Sequence, residues 1–154
     1  MKKLLYLLFF ISITGFSQTA LKGKVVAIKD GDTVIVIDSL YNQTTLRLAE
    51  VDCPERAQPF SAKPKQFTSD QIYLKTVKYV VISIDKYERS VAKIYYDQDN
   101  KYLSAEIIKA GMGWHYKQYS TSKELAELEV SAKKNKVGLW IDRNPIEPWI
   151  WRRK

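Results

Sequence analysis

The chain of 154 residues contains one cysteine and one histidine. A lone Cys53 excludes an internal disulfide. With only His115 beside it, no zinc-type cluster of several Cys and His ligands can form. A Cys53–His115 catalytic pair is the one thiol chemistry left, and no spacing signal supports it. Long apolar runs are also missing. Leu4 to Thr14 is a charge-free apolar stretch of about eleven residues, short of the roughly 20 that a membrane-spanning helix needs. Repeats and low-complexity linkers are absent. Acidic residues are in deficit, with 17 Asp+Glu against 25 Lys+Arg, a net charge of +8 and a pI near 9.4. Such a field favours polyanionic partners, nucleic acid first and anionic membrane surfaces second.

What is present fits one ordinary domain with its own core. Hydrophobic residues make up 45% and charged residues 27%, the mix of a soluble globular protein. Lys2 and Lys3 precede the apolar stretch, and Gly15-Phe16-Ser17 puts small residues where a signal peptidase reads. Residues 1–17 are therefore expected to be a secretory signal and 18–154 the mature domain, either periplasmic or extracellular. Cys53 is too far from the end of that signal to anchor a lipid. Cleavage removes Lys2 and Lys3 and leaves the domain basic.

From Leu21 the pattern is β. Strands are expected at 22–28, 33–38 and 44–51, joined by turns at Asp30-Gly31 and Tyr41-Asn42-Gln43. Two more, 77–84 and 90–96, bracket Asp85 to Arg89. A helix is expected over 61–74, with Pro64 in its first turn. A second starts at a Ser104 cap and stops at Gly111. A third opens on the capping-box pair Thr121 and Glu124 and carries Leu125, Leu128 and Ala132 on one face. Five strands and three helices predict an α+β domain, with the meander able to close into a small barrel.

Two acidic turns follow neighbouring strands: Asp30-Gly31-Asp32-Thr33 and Asp52-Cys53-Pro54-Glu55. Either alone reads as an ordinary turn. At one end of a barrel, their carboxylates can hold a hard cation such as Ca²⁺, which takes oxygen ligands at roughly 2.3–2.6 Å. The main-chain carbonyl of residue 53 is a further donor. Arg47 stands mid-strand among apolar residues, an unusual place for a charge. Eight residues of extended chain would separate Arg47 from Glu55 by roughly 26–29 Å, so a shared site requires the chain to fold back near Asp52. Pro54 predicts that turn. Arg47 and Arg89 suit phosphate, since the guanidinium fork donates two parallel hydrogen bonds.

The motifs D-G-D-T-V (30–34), R-L-A-E-V-D-C-P-E (47–55) and D-K-Y-E-R (85–89) come in an order that resembles the thermonuclease, or staphylococcal-nuclease-like, family. G-L-W at 138–140 and the terminal P-W-I-W-R-R look like that family's ending, so the resemblance covers about residues 21–153. It implies an OB-type five-stranded antiparallel β-barrel with three α-helices. It also implies Ca²⁺-dependent hydrolysis of DNA and RNA with low sequence specificity, giving 3′-phosphate products. By position, Asp32 and Asp52 match the family's metal carboxylates and Cys53 its main-chain carbonyl ligand. Arg47, Glu55 and Arg89 match its catalytic residues. Tyr87 and Tyr119 match substrate-side tyrosines, where base stacking is worth roughly 1–3 kcal/mol.

Position 53 departs from the threonine usual there, and Glu88 replaces a glycine that commonly precedes the arginine. Glu88 can pair with Arg89 or point to solvent. His115 is expected to be a surface or packing residue, with Trp114 and Tyr116 near it. A monomer acting on single-stranded or unpaired nucleic acid, without a stable protein partner, is the expected form. The rival from another class is a non-catalytic OB module that binds nucleic acid.

Overall fold

The computed structural model describes residues 19–154, so the proposed signal at 1–17 lies outside the described residues. Among these, no helix is long and apolar enough to cross a membrane.

Among the described residues, eight strands and four α-helices follow in the order β1 (Leu21–Asp30), β2 (Thr33–Ile37), β3 (Gln43–Leu48), β4 (Val51–Asp52), α1 (Ala62–Ile72), β5 (Thr76–Ile84), β6 (Ser90–Tyr96), β7 (Lys101–Tyr102), α2 (Leu103–Lys109), β8 (Trp114–His115), α3 (Lys123–Lys134) and α4 (Pro148–Trp151). A 3-10 turn at Gly138–Ile141 precedes α4. The main sheet runs β3-β2-β1-β5-β6-β7, and β3 pairs with β6 to close five strands into a barrel. The expected OB-type α+β barrel is therefore present. Its closing ladder, Leu46↔Ser90 to Leu48↔Ala92, is parallel, whereas the other pairings are antiparallel.

Closure depends on β1. Its first half pairs with β5 and its second with β2, and irregularities between Val25 and Ala27 and between Ile28 and Asp30 sharpen its bend. Alternation then sends Val25, Val34, Val36, Leu46, Leu48 and Ile94 inward, where all are essentially inaccessible. Leu103, Ile107 and Ile108 of α2 pack into that core.

Three local expectations are corrected. The third strand ends at Leu48, because the backbone turns at Ala49–Glu50 with Glu50 at φ +67°; residues 51–52 then form β4 against β8. The fold-back thus begins before Asp52, at Glu50, and not at Pro54. Ser104 does not cap α2: its hydroxyl donates to the Ala49 carbonyl at 2.8 Å, and the residue before the helix is Tyr102. Ser122, and not Thr121, caps α3 by accepting from the Leu125 amide at 3.3 Å. The buried face of α3 carries Leu125 and Ala132 as expected, with Glu129 between them.

α1 fixes one acidic turn against the other. Thr68 donates its hydroxyl to the Gly31 carbonyl at 2.6 Å. A Cβ on Gly31 would lie 2.6 Å from Pro64 and 2.9 Å from the Cys53 Cβ and Sγ. Only glycine allows the Asp30–Thr33 turn to sit this close to Cys53.

Candidate active site

Arg47 is paired with Thr33 on β2 and with Val91 on β6. This puts it at the seam of the barrel with its side chain only 12% exposed. Its guanidinium spans both acidic turns. Nη1 donates to the Leu48 and Val51 carbonyls at 2.9 and 3.0 Å and lies 3.2 Å from Asp32 Oδ2. Nη2 donates to Asp52 Oδ1 at 2.8 Å. The early turn at Glu50 makes this possible, because it carries Val51 and Asp52 back over the end of the strand that holds Arg47. The Cys53 amide closes the other side by donating to Asp32 Oδ2 at 2.7 Å. Asp32, Asp52, Cys53 and Arg47, four of the residues singled out from sequence, are thus in direct contact.

Burial opposes the charge on Arg47, but Asp32 and Asp52 outweigh it and raise the guanidinium's pKa further. Burial likewise pushes the Asp52 carboxyl upward, against bonds from Arg152 and the charge of Arg47. Asp30 also shifts upward. Burial, and then the neighbouring charge of Asp32, push it up to about 6. The Cys53 thiol is fully enclosed, and burial followed by the Asp32 charge moves its pKa well up. Its side chain is therefore packing and its reactive form suppressed.

Glu55 is joined to this group by a residue that sequence reasoning did not single out. Arg152, just after α4, donates through Nη1 to Glu55 Oε1 at 2.5 Å and to Asp52 Oδ1 at 3.2 Å. Its Nη2 donates to Asp52 Oδ2 at 2.7 Å. Burial works against the Arg152 charge, and the two carboxylates more than compensate, raising its pKa. Arg152 lies in the P-W-I-W-R-R stretch, whose resemblance carried no site role, and stands 100 positions from Asp52.

Arg89 reaches the site from another side. The turn between β5 and β6 is held by Asp85, which accepts from the Tyr87 and Arg89 amides at 2.8 and 3.0 Å and from Arg89 Nε at 2.7 Å. Arg89 Nη1 is 3.4 Å from the Thr33 hydroxyl, which in turn is 3.3 Å from Asp32 Oδ1. Arg89 therefore meets the first acidic turn through Thr33 and does not touch Asp52 or Glu55. Glu88 is exposed at φ +61°. Of the two alternatives for this residue, it points to solvent, and Asp85 takes the arginine.

Tyr87 is 66% exposed with Lys86 and Arg89 cations 4.9 and 5.4 Å from its ring. Tyr119 is 68% exposed and meets Tyr116 edge-on at 4.9 Å; Tyr116 in turn stacks on Trp149 of α4 at 5.4 Å. His115 is a buried packing residue. Its Nε2 is 2.9 Å from the Ser120 hydroxyl, which donates to Glu50.

Among the described residues, no three His, Cys, Asp or Glu side chains converge as a metal-binding group. The donor chemistry nevertheless suits a hard cation: two carboxylates on facing turns, Asp32 held by the Cys53 amide and Arg47, and Asp52 by Arg47 and Arg152.

A family model described as "Staphylococcal nuclease homologue" matches residues 45–142. An uncharacterised endonuclease of Haemophilus influenzae is 38% identical over 148 residues, covering 96% of this chain and 82% of that protein. One of Escherichia coli O157:H7 is 32% identical over 154 residues, covering 100% and 99%. The micrococcal nuclease of Shigella flexneri is 36% identical over 143 residues, covering 86% and 80%. The barrel, the paired acidic turns and these matches agree: the chain belongs to the staphylococcal nuclease homologue family.

Proposed function

We propose that this protein is a nuclease that hydrolyses phosphodiester bonds of DNA and RNA with Ca²⁺ and little sequence specificity, leaving 3′-phosphate ends. The observation that carries this reading is the bridge of Arg47 between Asp32 and Asp52, with Glu55 beside them and half open to solvent. Relatives named endonuclease and micrococcal nuclease support it.

Asp32, Asp52 and the carbonyl of Cys53 would hold the cation. Bound there, Ca²⁺ would supply positive charge to the phosphoryl oxygens as the transition state gains charge. Arg47 fixes the spacing of the two carboxylates. Arg89 is anchored mainly through Nε, which leaves Nη2 to meet a phosphoryl oxygen. Removal of one such preorganised donor typically costs about 10²–10³ in rate. Glu55 is the group able to orient water and accept its proton, in line with the departing 5′ oxygen. The exposed rings of Tyr87 and Tyr119 offer stacking surfaces that suit unpaired bases of any sequence. The excess of basic over acidic residues, which remains after loss of Lys2 and Lys3, assists encounter with such substrates. A monomer exported to the periplasm or beyond completes the proposal, on the strength of residues 1–17.

The test is incubation of the purified protein with single-stranded DNA and with RNA, with Ca²⁺ and again with a chelator. Ca²⁺-dependent cleavage to 3′-phosphate ends is expected, with Glu55→Gln and Arg89→Ala abolishing cleavage and retaining binding. Bound but intact nucleic acid would refute the enzyme reading and leave a non-catalytic OB module.

A further inference from the structure

We propose that Arg152 is a built-in competitor for the cation site, a C-terminal latch that must leave Asp52 before a divalent cation can be held there. The inference rests on the reading that Asp32 and Asp52 form that site. An ionised carboxylate has about four lone-pair directions. On Asp52, Arg47 takes one at Oδ1, and Arg152 takes a second at Oδ1 and one at Oδ2. The two Arg152 bonds cover both oxygens, as a chelated cation would. Guanidinium and divalent cation also repel, so one displaces the other. The same Arg152 Nη1 ties Glu55 to Asp52, so release frees both carboxylates together.

The latch is built to open. The Arg152 side chain is 39% exposed, whereas that of Asp52 is 1% exposed. Arg152 follows directly on a helix of only four residues. The rest of the segment is held by Trp149 stacked on Tyr116 and by Gln58 donating to the Ile146 carbonyl. These contacts keep the segment nearby after Arg152 lets go. Arg47 differs: it is buried in the barrel seam and bonds two main-chain carbonyls as well. It is part of the frame, and Arg152 is the exchangeable charge.

The test is calorimetric titration of Ca²⁺ into the metal-stripped wild type, Arg152→Ala, Arg152→Gln, Arg152→Lys and Asp52→Asn. Ca²⁺ is expected to bind Arg152→Ala and Arg152→Gln about 3–10-fold more tightly than wild type, with Arg152→Lys between. Asp52→Asn is expected to lose binding. Amide hydrogen exchange on the wild type supplies a readout independent of the variants' folding. Ca²⁺ should accelerate exchange at residues 148–154 in wild type and leave Asp52→Asn unaffected. Binding that Asp52→Asn abolishes but Arg152→Ala leaves unchanged or weakens, with no acceleration at 148–154, would overturn the latch and spare the cation site. No binding in any protein, Arg152→Ala included, would overturn the cation site and the latch with it. Binding seen only once Arg152 is removed would support the latch in its strongest form.

Discussion

Replacing Arg47 with methionine would test whether the barrel seam is held by a buried ion group. Methionine keeps much of the side-chain volume and removes the charge. The substitution deletes bonds to the Leu48 and Val51 carbonyls and contacts to Asp52 and Asp32. Removing one partner of a buried pair typically costs about 3–5 kcal/mol, because an uncompensated charge remains. Here Arg152 stays on Asp52 and the Cys53 amide stays on Asp32, so the lower end, about 3 kcal/mol, is expected.

The assay is urea unfolding in the presence of chelator, for wild type and Arg47→Met. With a urea slope of roughly 2 kcal/mol/M, a loss of about 3 kcal/mol lowers the midpoint by about 1.5 M at constant slope. Pairing the change with Asp52→Asn in a double-mutant cycle isolates the coupling of the two residues. A loss under about 1 kcal/mol, the range of an exposed ion pair, would refute the claim that Arg47 is the structural counter-ion of the acidic turns.

Three further outcomes follow from other parts of the molecule. Glu88 adopts φ +61° on an exposed turn, and a left-handed residue with a Cβ costs roughly 1–2 kcal/mol. Offset by the entropy of glycine, Glu88→Gly should raise stability by about 0.5–1 kcal/mol, and an unchanged or lower Tm would contradict it. The Cys53 thiol should resist a water-soluble disulfide reagent in the native protein and react only at the rate of unfolding, since burial raises its pKa; rapid native labelling would reopen a thiol role. Burial, against the charge of Glu129 and Glu50 and with that of Lys117, holds the His115 pKa below its ordinary value near 6.5. The unfolded chain therefore binds the proton first. Stability due to this residue is full above about pH 6.5 and falls as pH drops toward the folded pKa. Urea midpoints at pH 7.5 and 5.5 should converge in His115→Gln relative to wild type, and an equal pH slope would count against the assignment.

The barrel was legible because its signals are local and repeated. Val34, Val36, Leu46 and Leu48 alternate at the β period, and tight turns join the strands, so inward faces follow from the residues themselves. The first site cluster was legible for a related reason: Arg47 is a charge inside such a pattern, which requires an anionic partner nearby. What sequence missed was the device that bends the chain toward that partner. Pro54 is a visible breaker, but the turn occurs at Glu50, a non-glycine residue at positive φ. Its carboxylate accepts from Tyr102, Ser120 and Lys93, three residues far along the chain, and nothing local announces that network. Ser104 makes the same point at a helix end, where its hydroxyl is taken by the distant Ala49 carbonyl instead of capping α2.

Arg152 is the limiting case. Arg47 could be found because its strand neighbours are apolar, whereas Arg152 sits in a basic tail where an arginine is unremarkable. Its partners come from residues 52 and 55, and only the completed barrel, with α4 laid against Tyr116, brings them together. The difference also bears on what each arginine can do. A charge whose neighbours are dictated by its own strand is fixed when the strand forms, and its loss is a stability event. A charge delivered by the short helix α4 is held by side chains alone, at a place half open to water, and can be exchanged while the barrel stays folded. Stability should therefore track Arg47, and cation affinity should track Arg152.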